Sequence, residues 1–441
     1  MHRSAALGFC AGLMEAALLG ACAPNGTLTP TPAAFVASPE QRSVDGARPV
    51  SPSEDLNLLY VTDRAPIADP RTNALSYGSE RSHTMSFGLI DVRVEPDSNG
   101  ATGEMRLDGI KEIGRFPEVP YPAIVTSSGY HRSPEAVAAH EQAVALLQGE
   151  IRRRLAKSER KEVVVFIHGY NNSFADAAEA TGSICHLLGG DFVCVSLSWP
   201  AGGTRGAFMG YNFDRESGEF AVADMRKAIR AIGETEGVRG VDLIAHSRGT
   251  DVLASALQQL GAEAYASRRS ITENVRLRNI VLFAPDIDID VASTKIFDVF
   301  SDPDALYGAK KNTGAPIKQG SLHVTIYSSP GDQALGLASS IFGSRLRLGQ
   351  LDLNGPEANA LRADPGHRVD LIEVDDNTGA FGHGYFLSNP AVRSDLAALI
   401  RSGSRPGDPG RPLTHIGGGW FWRIAAGESA RVQSRDGLLA H

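Results

Sequence analysis

A serine on a short turn between a predicted strand and a predicted helix is the part of this sequence that most directly indicates chemistry. Residues 241–249 read Val-Asp-Leu-Ile-Ala-His-Ser-Arg-Gly, and an apolar helical stretch, 252–260, follows them. A serine on such a turn adopts a strained backbone conformation, which requires small residues two positions before and two after it. Ala245 and Gly249 meet that requirement. The pattern therefore predicts that Ser247 is a nucleophile.

A serine nucleophile needs a base that takes its proton and an acid that orients the base. His383 is the candidate base, because it lies between two glycines in a loop that follows the predicted strand 369–374. Asp332 is the preferred acid, since it follows a short predicted strand and a Pro-Gly turn. Asp286 also follows a predicted strand and is the alternative acid. Ser247, an aspartate and His383 thus occur in the chain order Ser, Asp, His.

The third requirement is a pair of hydrogen-bond donors for the oxyanion that forms during acyl transfer. A β-branched run, 163–167, has no polar alternation and ends in His168-Gly169, which is also compatible with a plain strand-ending turn. We expect one donor to be the amide of Arg248, directly after the nucleophile, and the other to be the amide of Tyr170 in the loop after this run. The Arg248 guanidinium is expected near the active-site mouth, unless its side chain turns outward along the helix.

Together, these segments resemble the bacterial alpha/beta-hydrolase family that is catalogued only as a domain of unknown function. The resemblance covers most of residues 56–402 and rests on Tyr60-Val-Thr-Asp-Arg64, Tyr77-Gly-Ser-Glu-Arg-Ser82, Phe166-Ile-His-Gly-Tyr-Asn171, Leu197-Ser-Trp-Pro200, Tyr211 with Asp214 and Ser217, Ile244-Ala-His-Ser247, Ala284-Pro-Asp-Ile-Asp-Ile-Asp290 and Gly382-His-Gly384. It implies an alpha/beta-hydrolase fold and serine hydrolase chemistry, but little about the substrate. This chain has Arg248 where the family often has methionine.

Alternating predicted strands and helices from residue 163 to residue 400 indicate an α/β protein with a mostly parallel central sheet and helices on both faces. We expect one domain at 56–403, which begins with early strands, continues through a polar, Gly/Pro-punctuated excursion at 92–122, and includes a helix at 134–155. The stretches 302–321 and 343–368 are either a lid or substrate wall, or solvated insertions. The tail, 404–441, contains an aromatic cluster that would cover a sheet edge or contact a lipid or glycan surface.

The N-terminus predicts export. Residues 1–21 form a short basic start and an apolar stretch, and Leu19-Gly-Ala-Cys22 is typical of a lipoprotein signal peptidase site. We expect lipidation at Cys22, followed by a disordered tether at 22–55 that is rich in Pro, Ser, Thr and Ala. The favoured location is the cell envelope, at the outer membrane. The alternatives are a soluble periplasmic or secreted protein and, more remotely, a misassigned start without export.

Composition excludes several other classes of protein. The chain has 441 residues, 42% of them hydrophobic, and a net charge of −8 without long basic runs, so nucleic acid is not an expected partner. No His, Cys or Asp set has metal-ligand spacing, and we expect neither a metal nor a cofactor. Cys185 and Cys194 form a disulfide in an exported protein or remain two buried thiols. The sequence leaves the oligomeric state open.

The leading hypothesis is a lipid-anchored serine hydrolase, similar to esterases and lipases, whose substrate is a small carboxylic ester with a short to medium acyl chain. Amidase, thioesterase and acyltransferase activities use the same residues and are not separated from it. A hypothesis from another class is an anchored binding or surface protein that uses a hydrolase scaffold with little or no catalysis.

Overall fold

A single large sheet runs through the part of the chain that the computed structural model describes. The structure describes residues 27–28, 55–96, 103–203, 207–267, 271–297, 322–342, 346–360, 369–375, 382–408, 410–411, 413–417 and 420–424. The predicted signal segment, Cys22, most of the predicted tether and the 302–321 insertion lie outside the described residues.

After a helix at 134–155, strands alternate with helices between residues 162 and 402, as the sequence predicts for 163–400. Strands β1 to β14 are, in chain order, Thr27–Leu28, Leu56–Ala68, Leu75–Pro96, Gly103–Arg115, Ala123–Thr126, Gly129–Arg132, Glu162–Ile167, Val193–Ser198, Gly240–His246, Leu277–Phe283, His323–Ser328, Val369–Val374, Thr414–His415 and Phe421–Ile424. Helices α1 to α10 are Pro134–Leu155, Phe174–Leu188, Ala207–Gly233, Gly249–Ala266, Ile271–Val275, Ile289–Ala292, Gln333–Phe342, Pro356–Ala360, Tyr385–Ser388 and Pro390–Ala397. Short π-helical turns at Ser293–Phe297 and Ala398–Ser402 extend α6 and α10, and a 3₁₀ turn covers Leu348–Gln350.

Twelve of these strands form one sheet in the order β1-β4-β3-β2-β8-β7-β9-β10-β11-β12-β14-β13. Every pairing from β2 to β14 along that order is parallel. The pairings among β1 to β4, and the one between β13 and β14, are antiparallel. The predicted fold class, a mostly parallel sheet of the alpha/beta-hydrolase type, is therefore confirmed.

The central strand β7 explains why helices cover both faces of the sheet. Its side chains alternate between two apolar clusters: Val163, Val165 and Ile167 pack into one, and Val164 and Phe166 into the other. Residues of α1, α3 and α4 belong to the first cluster, whereas those of α2, α9 and α10 belong to the second. A strand that is buried on both faces carries an uninterrupted apolar run, which is the pattern read in the sequence.

Two predictions about the organisation of the chain differ from the structure. The stretch 92–122, predicted as a polar excursion, contains β4, which pairs antiparallel with β3. Its exposed polar residues, among them Arg106, Asp108 and Lys111, remain hydrated on a strand near the sheet edge. The predicted domain end at residue 403 falls inside the fold, because β14 pairs with β12 and the buried Arg411 forms an ion pair with Asp395. The aromatic cluster thus extends the sheet edge.

Cys185 at the end of α2 and Cys194 in β8 are joined in a disulfide, with Cα atoms 6.3 Å apart. The bond ties the helix to the strand that follows it. Among the helices of the described residues, none combines the length and the apolar character that crossing a bilayer requires.

Candidate active site

Ser247 lies on a sharp turn between β9 and α4 with a strained backbone. Its φ angle is +52°, a left-handed conformation that non-glycine residues rarely adopt. A Cβ atom on Gly249 would lie 2.2 Å from the carbonyl oxygen of His168, so only glycine fits at this close approach between α4 and the end of β7. Ala245 is fully buried. The structure therefore has the turn geometry that the sequence predicts around Ser247.

Asp332 and His383 form a buried pair. His383 Nδ1 lies 2.7 Å from Asp332 Oδ2, and both side chains are at most 1% exposed. The other carboxylate oxygen, Oδ1, accepts a hydrogen bond from the amide of Leu335 in the first turn of α7, so the carboxylate is fixed on both sides. Because a carboxylate accepts the Nδ1 proton, the imidazole retains Nε2 for proton transfer.

The pair changes the proton affinity of the histidine. Burial by itself lowers the pKa of His383, but the charge and hydrogen bond of Asp332, together with the charge of Asp286, outweigh it. The pKa of His383 therefore lies above its ordinary value. An imidazolium at this position is stabilised, which is what a base needs after it has taken a proton from a serine.

Asp286, the alternative acid, has other partners. Its Oδ2 accepts a hydrogen bond from the Tyr211 hydroxyl at 2.7 Å, and its Oδ1 lies 3.3 Å from Arg347 Nε. It acts on His383 only through its charge. The structure thus brings Asp332 to the His383 imidazole and directs the carboxylate of Asp286 toward α3 and the 346–353 segment.

The loop after β7 packs directly against the predicted nucleophile. A Cβ atom on Gly169 would lie 2.7 Å from Ser247 Cβ, so the loop comes this close only because residue 169 has no side chain. The loop ends at Ser173, which caps α2 through a reciprocal capping box with Asp176. Tyr170, the predicted oxyanion donor, therefore occupies a loop that is held at both ends.

The amides on either side of Tyr170 have defined partners. The Gly169 amide donates to Asn172 Oδ1 at 3.2 Å, and the Asn171 amide donates to Asp214 Oδ2 at 2.8 Å. Asp214 is buried in α3 and also accepts from the amide of Gly202. The backbone on both sides of the predicted donor is therefore fixed.

Arg64, at the end of the buried part of β2, is a further residue that organises this loop. Its guanidinium is buried, and burial lowers its pKa to about 10 despite the opposing charges of Asp214 and Asp63. It donates to Ser198 Oγ (2.8 Å) and to the carbonyl oxygens of Asn172 (2.6 Å), Ala201 (2.8 Å) and Gly78 (3.0 Å). A guanidinium offers its donors in a rigid fork, which suits it to holding several carbonyls at once.

His168 is a neutral member of the same network. Its Nε2 accepts from the amide of Trp199 at 3.1 Å, and its Nδ1 lies 3.0 Å from the carbonyl oxygen of Gly169. Burial, followed by the charge of Arg64, holds the pKa of His168 well below its ordinary value. The ring therefore donates from Nδ1 and accepts at Nε2, and it serves the loop rather than proton transfer.

Arg64 and Asp214 lie in the stretches that resemble the family, but the sequence alone indicates no role for either residue. The available signal was the pair of charged residues Asp63-Arg64 directly after an apolar run, because charges in a buried strand need several partners. Apart from Gly78, the partners of Arg64 lie more than a hundred positions further along the chain, so the sequence alone could not identify them.

The side chain of Arg248 is buried and has an ion-pair partner in the helix that follows it. It turns along α4 and pairs with Asp251 at 2.9 Å, and both side chains are buried. Arg248 Nη1 lies 3.4 Å from the carbonyl oxygen of Asp286. The side chain therefore runs along the helix, as one of the two sequence-based alternatives has it, but it is buried and does not turn outward.

The described part of the second insertion belongs to the core. Leu348, Leu351 and Leu353 are at most 1% exposed. Gly349 packs so closely on the strand end that a Cβ atom would lie 2.5 Å from the carbonyl carbon of Ala284. Residues 346–353 therefore support the loop after β10 and are not a lid. Among the described residues, no group of three or more His, Cys, Asp or Glu side chains is arranged to hold a metal ion.

Comparisons with known proteins place this geometry in a family. A family model described as "Alpha/beta hydrolase of unknown function (DUF900)" matches residues 143–402, which is more than half of the chain. No curated protein matches the chain. The crystal structure of Porphyromonas gingivalis dipeptidyl peptidase 4 is similar at 13% identity and a TM-score of 0.26, over 73% of this chain and 41% of that one. This chain spans less than half of the peptidase chain, and a TM-score so low supports no conclusion.

The family match spans the elements that carry Ser247, Asp332 and His383, and it confirms the resemblance read in the sequence. The chain belongs to the alpha/beta-hydrolase family of unknown function, DUF900.

Proposed function

We propose that this protein is a serine hydrolase that cleaves carboxylic esters, with Ser247 as nucleophile, His383 as base and Asp332 as the acid that orients it. The observation that carries the proposal is the buried hydrogen bond of 2.7 Å between His383 and Asp332, together with the contact of His383 to His246, the residue before the strained Ser247. Such a set of residues serves acyl transfer on many unrelated sequences.

The reaction runs in two halves. Ser247 Oγ attacks the ester carbonyl carbon while its proton passes to His383 Nε2, and the resulting oxyanion accepts hydrogen bonds from the amides of Tyr170 and Arg248. The C–O bond to the alcohol then breaks, and His383 protonates the departing oxygen. In the second half, water gives a proton to His383 as its oxygen attacks the acyl carbon. The carboxylic acid leaves when the acyl bond to Ser247 breaks and His383 returns the proton to Oγ.

The proposed substrates have short to medium acyl chains. One of the two stretches considered as a lid, 343–368, contributes buried leucines to the core at 348, 351 and 353, so these leucines are not available as an apolar wall over the cleft. A lid that is activated at a lipid interface needs a strongly apolar amphipathic helix. Arg248 no longer supports this proposal, since its charge is paired with Asp251.

The proposal includes a lipid anchor at Cys22, and it rests on the sequence Leu19-Gly-Ala-Cys22. A diacyl group plus an N-acyl chain would hold the enzyme stably at the envelope membrane, because two or more chains are needed for lasting attachment. Mass spectrometry of the mature N-terminus tests this. An unmodified end at another residue contradicts lipidation, and an intact Met1 contradicts export.

Activity-based labelling tests the function. We expect a fluorophosphonate to label the wild-type protein and not Ser247→Ala, and turnover of p-nitrophenyl esters to be higher for C4 than for C16 chains. Labelling that persists in Ser247→Ala would overturn the assignment of the nucleophile. A folded wild-type protein that is neither labelled nor active would favour a binding protein on this scaffold. Preference for C16 with activation by lipid would overturn only the substrate class.

A further inference from the structure

His246, the residue before the predicted nucleophile, contacts the main chain of the predicted base. Its Nε2 lies 3.2 Å from the carbonyl oxygen of His383. The two imidazole rings are 4.8 Å apart, and the His246 ring also stacks on Phe386 at 4.3 Å. His246 is the last residue of β9, so its ring is carried by one of the most deeply buried strands. Sequence patterns indicate no role for this histidine beyond its place in the turn.

The hydrogen bond fixes the protonation state of His246. A carbonyl oxygen only accepts, so Nε2 must carry a proton. Burial, followed by the charge of His383, holds the pKa of His246 well below its ordinary value, and Nδ1 has no hydrogen-bond partner among the described residues. The ring is therefore neutral. A neutral neighbour does not oppose the positive charge that His383 acquires when it takes a proton.

The glycines on either side of His383 do not fix its backbone by side-chain packing, although the Gly384 carbonyl accepts from the amides of Leu387 and Ser388. Gly382 has a φ angle of +63°, and a Cβ atom on Gly384 would have no neighbour within 4 Å, so neither flanking residue fixes the backbone by side-chain packing. Asp332 holds the imidazole of His383 at Nδ1, but a ring that is held at one atom can still shift with its main chain. The His246 contact connects that main chain to the turn that carries Ser247.

We propose that His246 is a positioning residue, which sets the distance between Ser247 and His383 by donating a hydrogen bond from Nε2 to the His383 carbonyl. This inference rests on the proposed function, since it assigns a role within the same set of residues. A base that is displaced by about 1 Å can lower turnover by about 10²-fold.

Three substitutions separate the hydrogen bond from the bulk of the ring. In His246→Phe, the ring can still stack on Phe386 but has no donor. In His246→Gln, Nε2 stands the same number of bonds from Cβ as in histidine, so the donor is kept. In His246→Asn, the donor is kept but is one bond too short. Active sites are titrated with the fluorophosphonate so that rates refer to folded enzyme, and kcat and KM are measured across pH with a C4 ester.

We expect His246→Phe and His246→Asn to lower kcat by about 10²-fold with little change in KM, and His246→Gln to recover most of that loss. The three variants should have similar unfolding midpoints. Equal kcat in all three, or losses that follow their unfolding midpoints, would overturn the proposal. Ser247→Ala and His383→Ala serve as references. If they abolish turnover while His246→Phe does not lower it, the positioning role fails and the hydrolase proposal stands. If they retain turnover, the hydrolase proposal itself fails.

Discussion

The amide of Asp286 donates a hydrogen bond of 3.3 Å to the carbonyl oxygen of Ser247. On the other side, the Ser247 amide donates to the carbonyl oxygen of Phe283 at 2.9 Å, so the end of β10 holds the main chain of the predicted nucleophile at both of its polar groups. Ala284 has a φ angle of +45° between these two contacts. The strain in the Ser247 turn is thus supported by a second strained position on the neighbouring strand.

Substituting the two candidate acids should lower turnover to different extents, because Asp286 contacts Ser247 through its backbone. We predict that Asp332→Asn lowers turnover by about 10⁴-fold, since the amide cannot hold the productive tautomer of His383. Asp286→Asn should have a much smaller effect, because its backbone contact to Ser247 remains and the new amide can still bond Tyr211. Steady-state kinetics of both variants, normalised by active-site titration, measure the difference. The reverse order of effects would make Asp286 the acid.

The close approach at Gly249 gives a second prediction. In Gly249→Ala, the methyl carbon would lie 2.2 Å from the carbonyl oxygen of His168, so α4 or the end of β7 must move. The loop after β7 also carries the predicted oxyanion donor. We therefore expect kcat to fall by about 10²–10³-fold, as it does when one oxyanion donor is removed, together with lower stability. Gly240→Ala is the matched control on β9, since its nearest neighbour would be 3.6 Å away. Similar losses in both variants would contradict this explanation.

The residues with predictable roles are those whose signal is local. Ser247 could be read from the small residues around it, and His383 from its place between two glycines after a strand. Tertiary contacts decide the rest. The sequence around Arg248 is compatible both with a side chain at the active-site opening and with an ion pair to Asp251. Only the packing of α4 shows that Arg248 forms the ion pair. β4 was missed because a strand near the sheet edge keeps many exposed polar residues and resembles a loop.

The raised pKa of His383 predicts the pH dependence. His383 acts as a base only when neutral, so kcat/KM should fall as the pH drops through the pKa of His383 in the free enzyme. Since Asp332 and Asp286 raise that pKa, the acidic limb should lie above the ordinary value for histidine, about 6.5. Asp286→Asn removes one of these charges and should move the limb to lower pH. Profiles of kcat/KM on a C4 ester check both points. A limb below 6.5 in the wild type would contradict them.

Arg64 should matter for turnover although it lies outside the reacting residues. Arg64→Lys keeps the charge but cannot reach all of the acceptors that the guanidinium holds around the oxyanion loop. Each buried carbonyl that is left unpaired costs about 1–3 kcal/mol, and a shifted loop can lower kcat by about 10²-fold. The half-buried Arg81, which bonds Ser217, provides the control as Arg81→Lys. Kinetics and unfolding midpoints are measured for both. If Arg64→Lys has the kcat of the wild type, Arg64 does not support turnover by holding the oxyanion loop.

The ion pair between Arg411 and Asp395 predicts that the chain beyond residue 403 is needed for folding. Arg411 donates to both oxygens of Asp395, at 2.7 and 2.9 Å, and both side chains are buried. Asp395 also accepts from the Tyr327 hydroxyl, so Arg411→Met leaves a buried carboxylate without its cation in contact with the core strand β11.

Removing one partner of a buried pair typically costs about 3–5 kcal/mol, whereas an exposed pair contributes less than about 1 kcal/mol. Arg153→Met is the control, because it removes a half-exposed arginine whose partner Glu150 keeps its ion pair with Arg154. Denaturant unfolding should give a clearly lower midpoint for Arg411→Met alone. Equal midpoints for the two variants would mean that this pair does not anchor the tail to the sheet.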